Sequence, residues 1–154
     1  MPMDARQLET YLHDRIPLSR AMAIEVREAT AGRVTLFAPL APNINHRDTV
    51  FGGSASAVAI LAAWSVVRVR MLAEGFPGRI VIRRNTMSYE LPMAAGFTAT
   101  AGSPDEDEWA RLRAALARGR PARVRVNAVL ECLDARAGLL EGEFVVLPDQ
   151  GDTR

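Results

Sequence analysis

Between Pro39 and Ser54 the chain reads Pro-Leu-Ala-Pro-Asn-Ile-Asn-His-Arg-Asp-Thr-Val-Phe-Gly-Gly-Ser, and most residues suited to chemistry lie here. The stretch runs into a long apolar segment that reads as a helix, so it ends at a helix N-terminus. Free backbone N–H groups and the positive end of the helix dipole favour negative charge at such a place. Gly52 and Gly53, flanked by Phe51 and Ser54, remove side chains where another molecule approaches that backbone. Asn43 and Asn45 supply neutral amide donors nearby. The same residues also suit a capped helix start behind a structured loop, with Asn43 bonding its own turn. Spacing leaves both readings open.

The rest of the composition narrows the chemistry. All nineteen basic residues are arginine, which removes Schiff-base and lysine-base mechanisms. One cysteine, Cys132, allows no internal disulfide. His13 and His46 lie far apart, and no Cys, His and carboxylate cluster has metal-ligand spacing, so neither metal nor cofactor is expected. Nineteen basic residues face eighteen acidic ones for a net charge of +1, and aromatics are 6% with no interleaved basic-aromatic run. Nucleic acid is not an expected partner.

The elements that must position the loop follow from patterning. With 154 residues, 49% apolar and 24% charged, the chain reads as a single soluble domain over 1–154. Asp4 to Asp14 forms an amphipathic helix that Pro17 ends. Met22–Ala29 and Arg33–Ala38 form a hairpin around Ala31-Gly32. A buried helix spans about Gly52 to Glu74 and is closed by Gly75 and Pro77-Gly78. Arg79–Tyr89 and Phe97–Ala101 read as strands. Ser103, Pro104 and Glu106 form a capping box for a helix running to about Arg118. Arg123–Leu133 alternates, with Val124, Val126, Ala128, Leu130 and Cys132 on one face. Asp134–Gly138 is a turn, and Leu139–Leu147 is the last strand.

From Thr49 to Val67 there are nineteen uncharged residues, close to a membrane-spanning length. The bulky part, Val58 to Val67, is too short to span, so the helix is expected to be one that other structure surrounds. Met1 to Asp14 carries no apolar signal-peptide run, which makes the cytoplasm the expected compartment. Strands outnumber helices and hairpins dominate, so the fold class is α+β. A mainly antiparallel sheet curled around the apolar helix, the hotdog fold, covers that helix on nearly every side. A ferredoxin-like split would need two comparably amphipathic helices. The open edges of such a sheet predict a homodimer or higher homo-oligomer, joined edge to edge or with helices back to back.

The run Pro-Leu-Ala-Pro-Asn-Ile-Asn, then Thr49, Phe51-Gly52-Gly53-Ser54 and Trp64 resembles a bacterial hotdog family whose members are labelled thioesterases. Its stand-alone members are associated with malonyl-acyl-carrier-protein decarboxylation. The resemblance implies catalysis by the second loop asparagine, which falls on Asn45, and a dimer with active sites at the subunit junction. Thioester hydrolysis needs a carboxylate to activate water or attack directly. Nothing from Gly52 to Val67 is acidic. The nearest carboxylate is Asp48, either a base acting across the dimer or a solvated acid beside Arg47 and His46. Decarboxylation of a malonyl thioester needs only donors aimed at the developing enolate oxygen, which Asn45 and a backbone N–H near Gly52 or Gly53 would supply.

Arg83 and Arg84 are adjacent on a strand and therefore expected on opposite faces, so that one meets the malonyl carboxylate. Arg111, Arg113, Arg118, Arg120, Arg123 and Arg125 have no acid among them. They complement a helix dipole, or they dock an acidic carrier protein or coenzyme A phosphates. The expected activity is thus on acyl thioesters of acyl carrier protein or coenzyme A, with malonyl decarboxylation ahead of hydrolysis through Asp48. Saturable binding without turnover would instead mark a non-catalytic acyl-thioester module.

Overall fold

A helix that is apolar on nearly every side needs cover on every side, and six antiparallel strands supply it. The computed structural model describes residues 2–149. In chain order the elements are α1 (Ala5–Arg15), α2 (Pro17–Ala21), β1 (Glu25–Ala29), β2 (Arg33–Ala38), α3 (Gly52–Glu74), β3 (Arg79–Tyr89), β4 (Phe97–Gly102), α4 (Glu106–Ala117), β5 (Ala122–Cys132) and β6 (Ala135–Leu147). One sheet of order β1-β2-β4-β5-β6-β3 curls around α3, which is the hotdog fold. Val58, Ala59, Ala62, Ala63, Val66 and Val67 of α3 are fully buried against it. Small residues on the inner faces of the central strands, Ala99, Ala101 and Ala128, let the sheet close tightly on an alanine-rich helix. By length and composition α3 is apolar enough to cross a membrane, but it forms the core under this sheet.

The two edges of the sheet are treated differently. At β1 the edge is covered by α1, whose Glu9 carboxylate accepts the Val26 N–H at 2.8 Å and whose His13 Nε2 lies 2.8 Å from the Ile24 carbonyl. At β3 an 11-residue strand stays open, with Val81 45% and Ile82 41% exposed. Trp64 Nε1 donates to the Ile80 carbonyl at 3.0 Å and so blocks only its first residues.

Several local expectations are corrected. Pro17 does not simply end the first helix; its fixed φ starts α2 at the first helical position. Leu133 and Asp134, with φ of 51° and 61°, make a tight two-residue turn, so β6 begins at Ala135 and the expected Asp134–Gly138 turn is mostly strand. The capping box at Ser103 does not form. Asp105 caps α4 instead, accepting the Glu108 N–H at 3.0 Å.

The reason is Arg70, which lies in the last turns of α3 with Arg68 and Glu74 and whose side chain is 11% exposed. Its Nη1 donates to Ser103 Oγ at 2.7 Å, its Nη2 to Glu106 at 2.9 Å and its Nε to Glu74 at 2.9 Å, over the Trp109 ring at 4.4 Å. Glu74 also accepts from Trp109 Nε1 at 2.7 Å and pairs with Arg113 at 2.8 Å. Burial alone would lower the Arg70 pKa, but the bonds to Glu106 and Glu74 outweigh it and raise it. This network locks α4 onto the far end of α3. Arg70→Ala removes three charge-assisted bonds, although Glu74 keeps Trp109 and Arg113 and Glu106 is open to water, and should cost about 2 kcal/mol in urea unfolding. A loss below about 1 kcal/mol would mean the network is decorative.

Candidate functional site

The near end of α3 is built differently, because nothing caps it. Phe51 is the N-cap residue and makes no side-chain cap bond. The Ala55 N–H returns to the Phe51 carbonyl at 3.0 Å, leaving those of Gly52, Gly53 and Ser54 as the first-turn donors. The preceding loop is tied down so that this end faces outward. Val50 N donates to the Met93 carbonyl and Phe51 N to the Asn43 carbonyl, both at 2.8 Å.

Asn43 is 2% exposed and holds the loop from inside, with Nδ2 donating to the Met22 carbonyl at 3.0 Å and the Pro39 carbonyl at 2.8 Å. Asn45 lies at the surface side of the same loop. Its Oδ1 accepts from the Arg47 and Thr49 N–H groups, and its Nδ2 donates to Thr49 Oγ1 at 2.9 Å and to the Val50 carbonyl at 3.4 Å. Three of these bonds are short; the last is long. Asp48 sits at the loop tip in the left-handed region (φ 62°), exposed, with no ion pair among the described residues.

Beside Gly52 and Ala55 opens a cleft of about 180 Å³. Met93, Leu130 and Ala137 close it on the inside, each at most 5% exposed. Tyr89 forms a side wall, its hydroxyl donating to the Gly52 carbonyl at 3.3 Å. Tyr89 and Leu91 make its exposed apolar rim, and Phe51 and Ile44 are exposed on the adjoining loop. Glu90 also lines the cleft, but its carboxylate is forked onto Arg136 at 2.8–3.1 Å. That hydrogen bond raises the Arg136 pKa.

Of the residues expected at the site, Gly52 lines this cleft; Asn45, Asp48, Phe51, Gly53 and Ser54 adjoin it along the chain without lining it, and Asn43 is buried beneath the loop. Arg83 and Arg84 are elsewhere. A bulge between Ile82 and Arg84 breaks the alternation, so Arg83 pairs with Glu143 at 3.3 Å while Arg84 lines a separate cleft with Glu141 and Glu143 on the outer face. Tyr89, Met93, Leu130 and the Glu90–Arg136 pair went unread in the sequence. No spacing links them to Gly52; only the register of β3, β5 and β6 does.

A family model described as putative thioesterase (yiiD_Cterm) matches residues 5–148. Among solved structures, a putative thioesterase from Shewanella oneidensis is similar at 29% identity, with a TM-score of 0.84 over 94% of this chain and 97% of that one. A Chlorobaculum tepidum protein of unknown function is similar at 26% identity, with a TM-score of 0.86 over 96% and 99%. A Pseudomonas aeruginosa protein shares the fold at 16% identity, with a TM-score of 0.81 over 97% and 99%.

The two asparagines can be separated by experiment. Asn43→Ala leaves buried carbonyls without donors and should lower stability by about 2 kcal/mol in urea unfolding. Unchanged stability with lost activity would place Asn43 on the substrate instead.

Proposed function

The chain belongs to the putative thioesterase (yiiD_Cterm) family, and we propose that it processes acyl thioesters of a carrier protein or coenzyme A, chiefly by malonyl decarboxylation. The observation that carries this reading is an uncapped helix end opening on a small cleft with no free carboxylate in it. Glu90 is held by Arg136, and Asp48 is exposed at the loop tip and does not line the cleft. A cleft of about 180 Å³ is smaller than the ~300–1,000 Å³ of sites for drug-sized ligands, and suits an acyl group of a few carbons.

In the reaction the bond between the malonyl carboxylate and its methylene carbon breaks, and CO2 leaves. The electron pair stays behind as a thioester enolate whose charge lies on oxygen. The N–H groups of Gly52 and Gly53 face that charge, and the helix dipole adds to them. Asn45 Nδ2 gives its second hydrogen to the oxyanion in place of the long bond to Val50. Protonation of the enolate carbon from water completes an acetyl thioester. No general base is required at any step.

Asn45→Ala should lower turnover about 10²–10³-fold, and Asn45→Asp at least as much, by placing negative charge beside a developing one. Asp48→Asn should change it little. Product formation is measured on malonyl and saturated acyl thioesters, with thermal unfolding run alongside because Asn45 also closes its loop. The second reading, hydrolysis with Asp48 as base, is favoured by the description of the Shewanella protein as a putative thioesterase. It predicts the reverse order, with Asp48→Asn crippling.

The open β3 edge supports a dimer whose two sheets join through this strand. With β1 sealed by Glu9 and His13, β3 is the long edge left to pair. The same contact would cover the rim of Tyr89 and Phe51 and finish the cleft. Sedimentation at micromolar concentration should give a dimer, and Ile82→Arg a monomer without turnover. An active, monodisperse monomer of the unaltered chain contradicts this.

A further inference from the structure

Basic residues collect at the end of the sheet remote from the cleft. Arg118 is the C-cap of α4, Gly119 turns the chain with φ 70°, and Arg120 follows just before β5. Arg79 opens β3 and pairs in register with Leu147 at the end of β6, next to Ala122 across the sheet. Among the described residues Arg79, Arg118 and Arg120 take part in no ion pair, while Arg113 is held by Glu74 and Arg123 reaches Glu143 at 3.8 Å. Next to them lies a groove of about 430 Å³ with apolar walls from Phe76, Pro77, Leu116 and Pro148; among the described residues its lining holds one cation, Arg113, and one acid, Asp149.

An apolar groove bordered by exposed arginines fits an amphipathic helix with an acidic face. Coenzyme A would use the charges but not the groove, so the composition favours a protein. In its own chain the surface is badly placed. Arg79 and Tyr89 end an 11-residue strand, about 33 Å apart. Pairing two β3 edges about a two-fold axis, with both α3 helices on one side, makes the strands antiparallel. Pairing centred on Arg84, over the residues that Trp64 leaves free, would bring the partner's Arg79 end towards Tyr89 and set the arginine-bordered groove of one copy beside the cleft of the other.

We infer that the groove at the α4–β5 turn docks an acidic carrier protein and delivers its acyl thioester to the partner subunit's cleft. This rests on the acyl-thioester and dimer readings above. The test does not depend on turnover. A cysteine placed in the cleft, Tyr89→Cys, is exposed to carrier protein bearing a bromoacetyl-pantetheine arm, and alkylation of each subunit is followed by mass spectrometry. In mixed dimers, Arg118→Glu/Arg120→Glu on the partner should slow labelling about tenfold or more, and raised salt should do the same to the unaltered dimer. The same pair of changes on the Tyr89→Cys chain itself, beside an unaltered partner, should leave labelling intact. Bromoacetyl-coenzyme A should label all of them equally.

Loss that follows the arginines of the labelled chain overturns delivery to the partner. Loss with neither arrangement overturns the docking surface, and equal loss with the coenzyme A reagent assigns the arginines to that cofactor instead. If labelling follows the expected pattern while no thioester is turned over, the docking surface stands and only the enzymatic reading falls.

Discussion

Burying a 23-residue helix that has almost no polar face is the constraint from which the rest of this structure follows. One flat sheet covers only one side of a helix, so the sheet must curl, and alanines on both surfaces bring the backbones close enough for it to do so. Curling leaves two edges. The shorter is sealed by side chains of α1, whereas β3 keeps its backbone groups open. The helix also has two ends, and packing leaves each to be finished by other residues.

The ends of α3 are finished in opposite ways. At the C-terminal end a left-handed Gly75 closes the helix on the Met71 and Leu72 carbonyls, and Glu74 and Glu106 pair with the Arg70 guanidinium. At the N-terminal end no side chain caps the first turn, and the rings of Phe51 and Tyr89 pack against Gly53 and Gly52. Donors left unpaired at a helix start are taken by water or by a ligand, and on the reading proposed above the ligand is the thioester oxygen. Anchoring falls on Asn43 and Met93, which hold the loop so that α3 itself need not be plugged.

Much of this was legible in the residues. The long apolar helix, its glycine stop and the bounds of β3 all follow from periodicity and breakers, because those signals are local. Cys132 falls on the buried face that its alternation assigns it. What local reasoning missed is tertiary. Ser103 and Glu106 have the spacing of a capping box, yet Arg70, more than thirty positions away, takes both of them. Arg83 and Arg84 looked like residues of opposite faces until a bulge set against β6 removed the alternation. The Asn45 loop was visible as a place, but its internal bonds were not, and the cleft beside it depends on strand register that no motif encodes.

The central claim is that the open end of α3 stabilises an enolate rather than activating water. The direct measurement is to supply a malonyl thioester labelled with ¹³C in its free carboxylate and to follow the products by mass spectrometry. The account predicts labelled CO2 together with an intact acetyl thioester, and no release of the thiol beyond the uncatalysed rate. Labelled malonate appearing with free thiol, and no labelled CO2, would contradict it and make the protein a hydrolase.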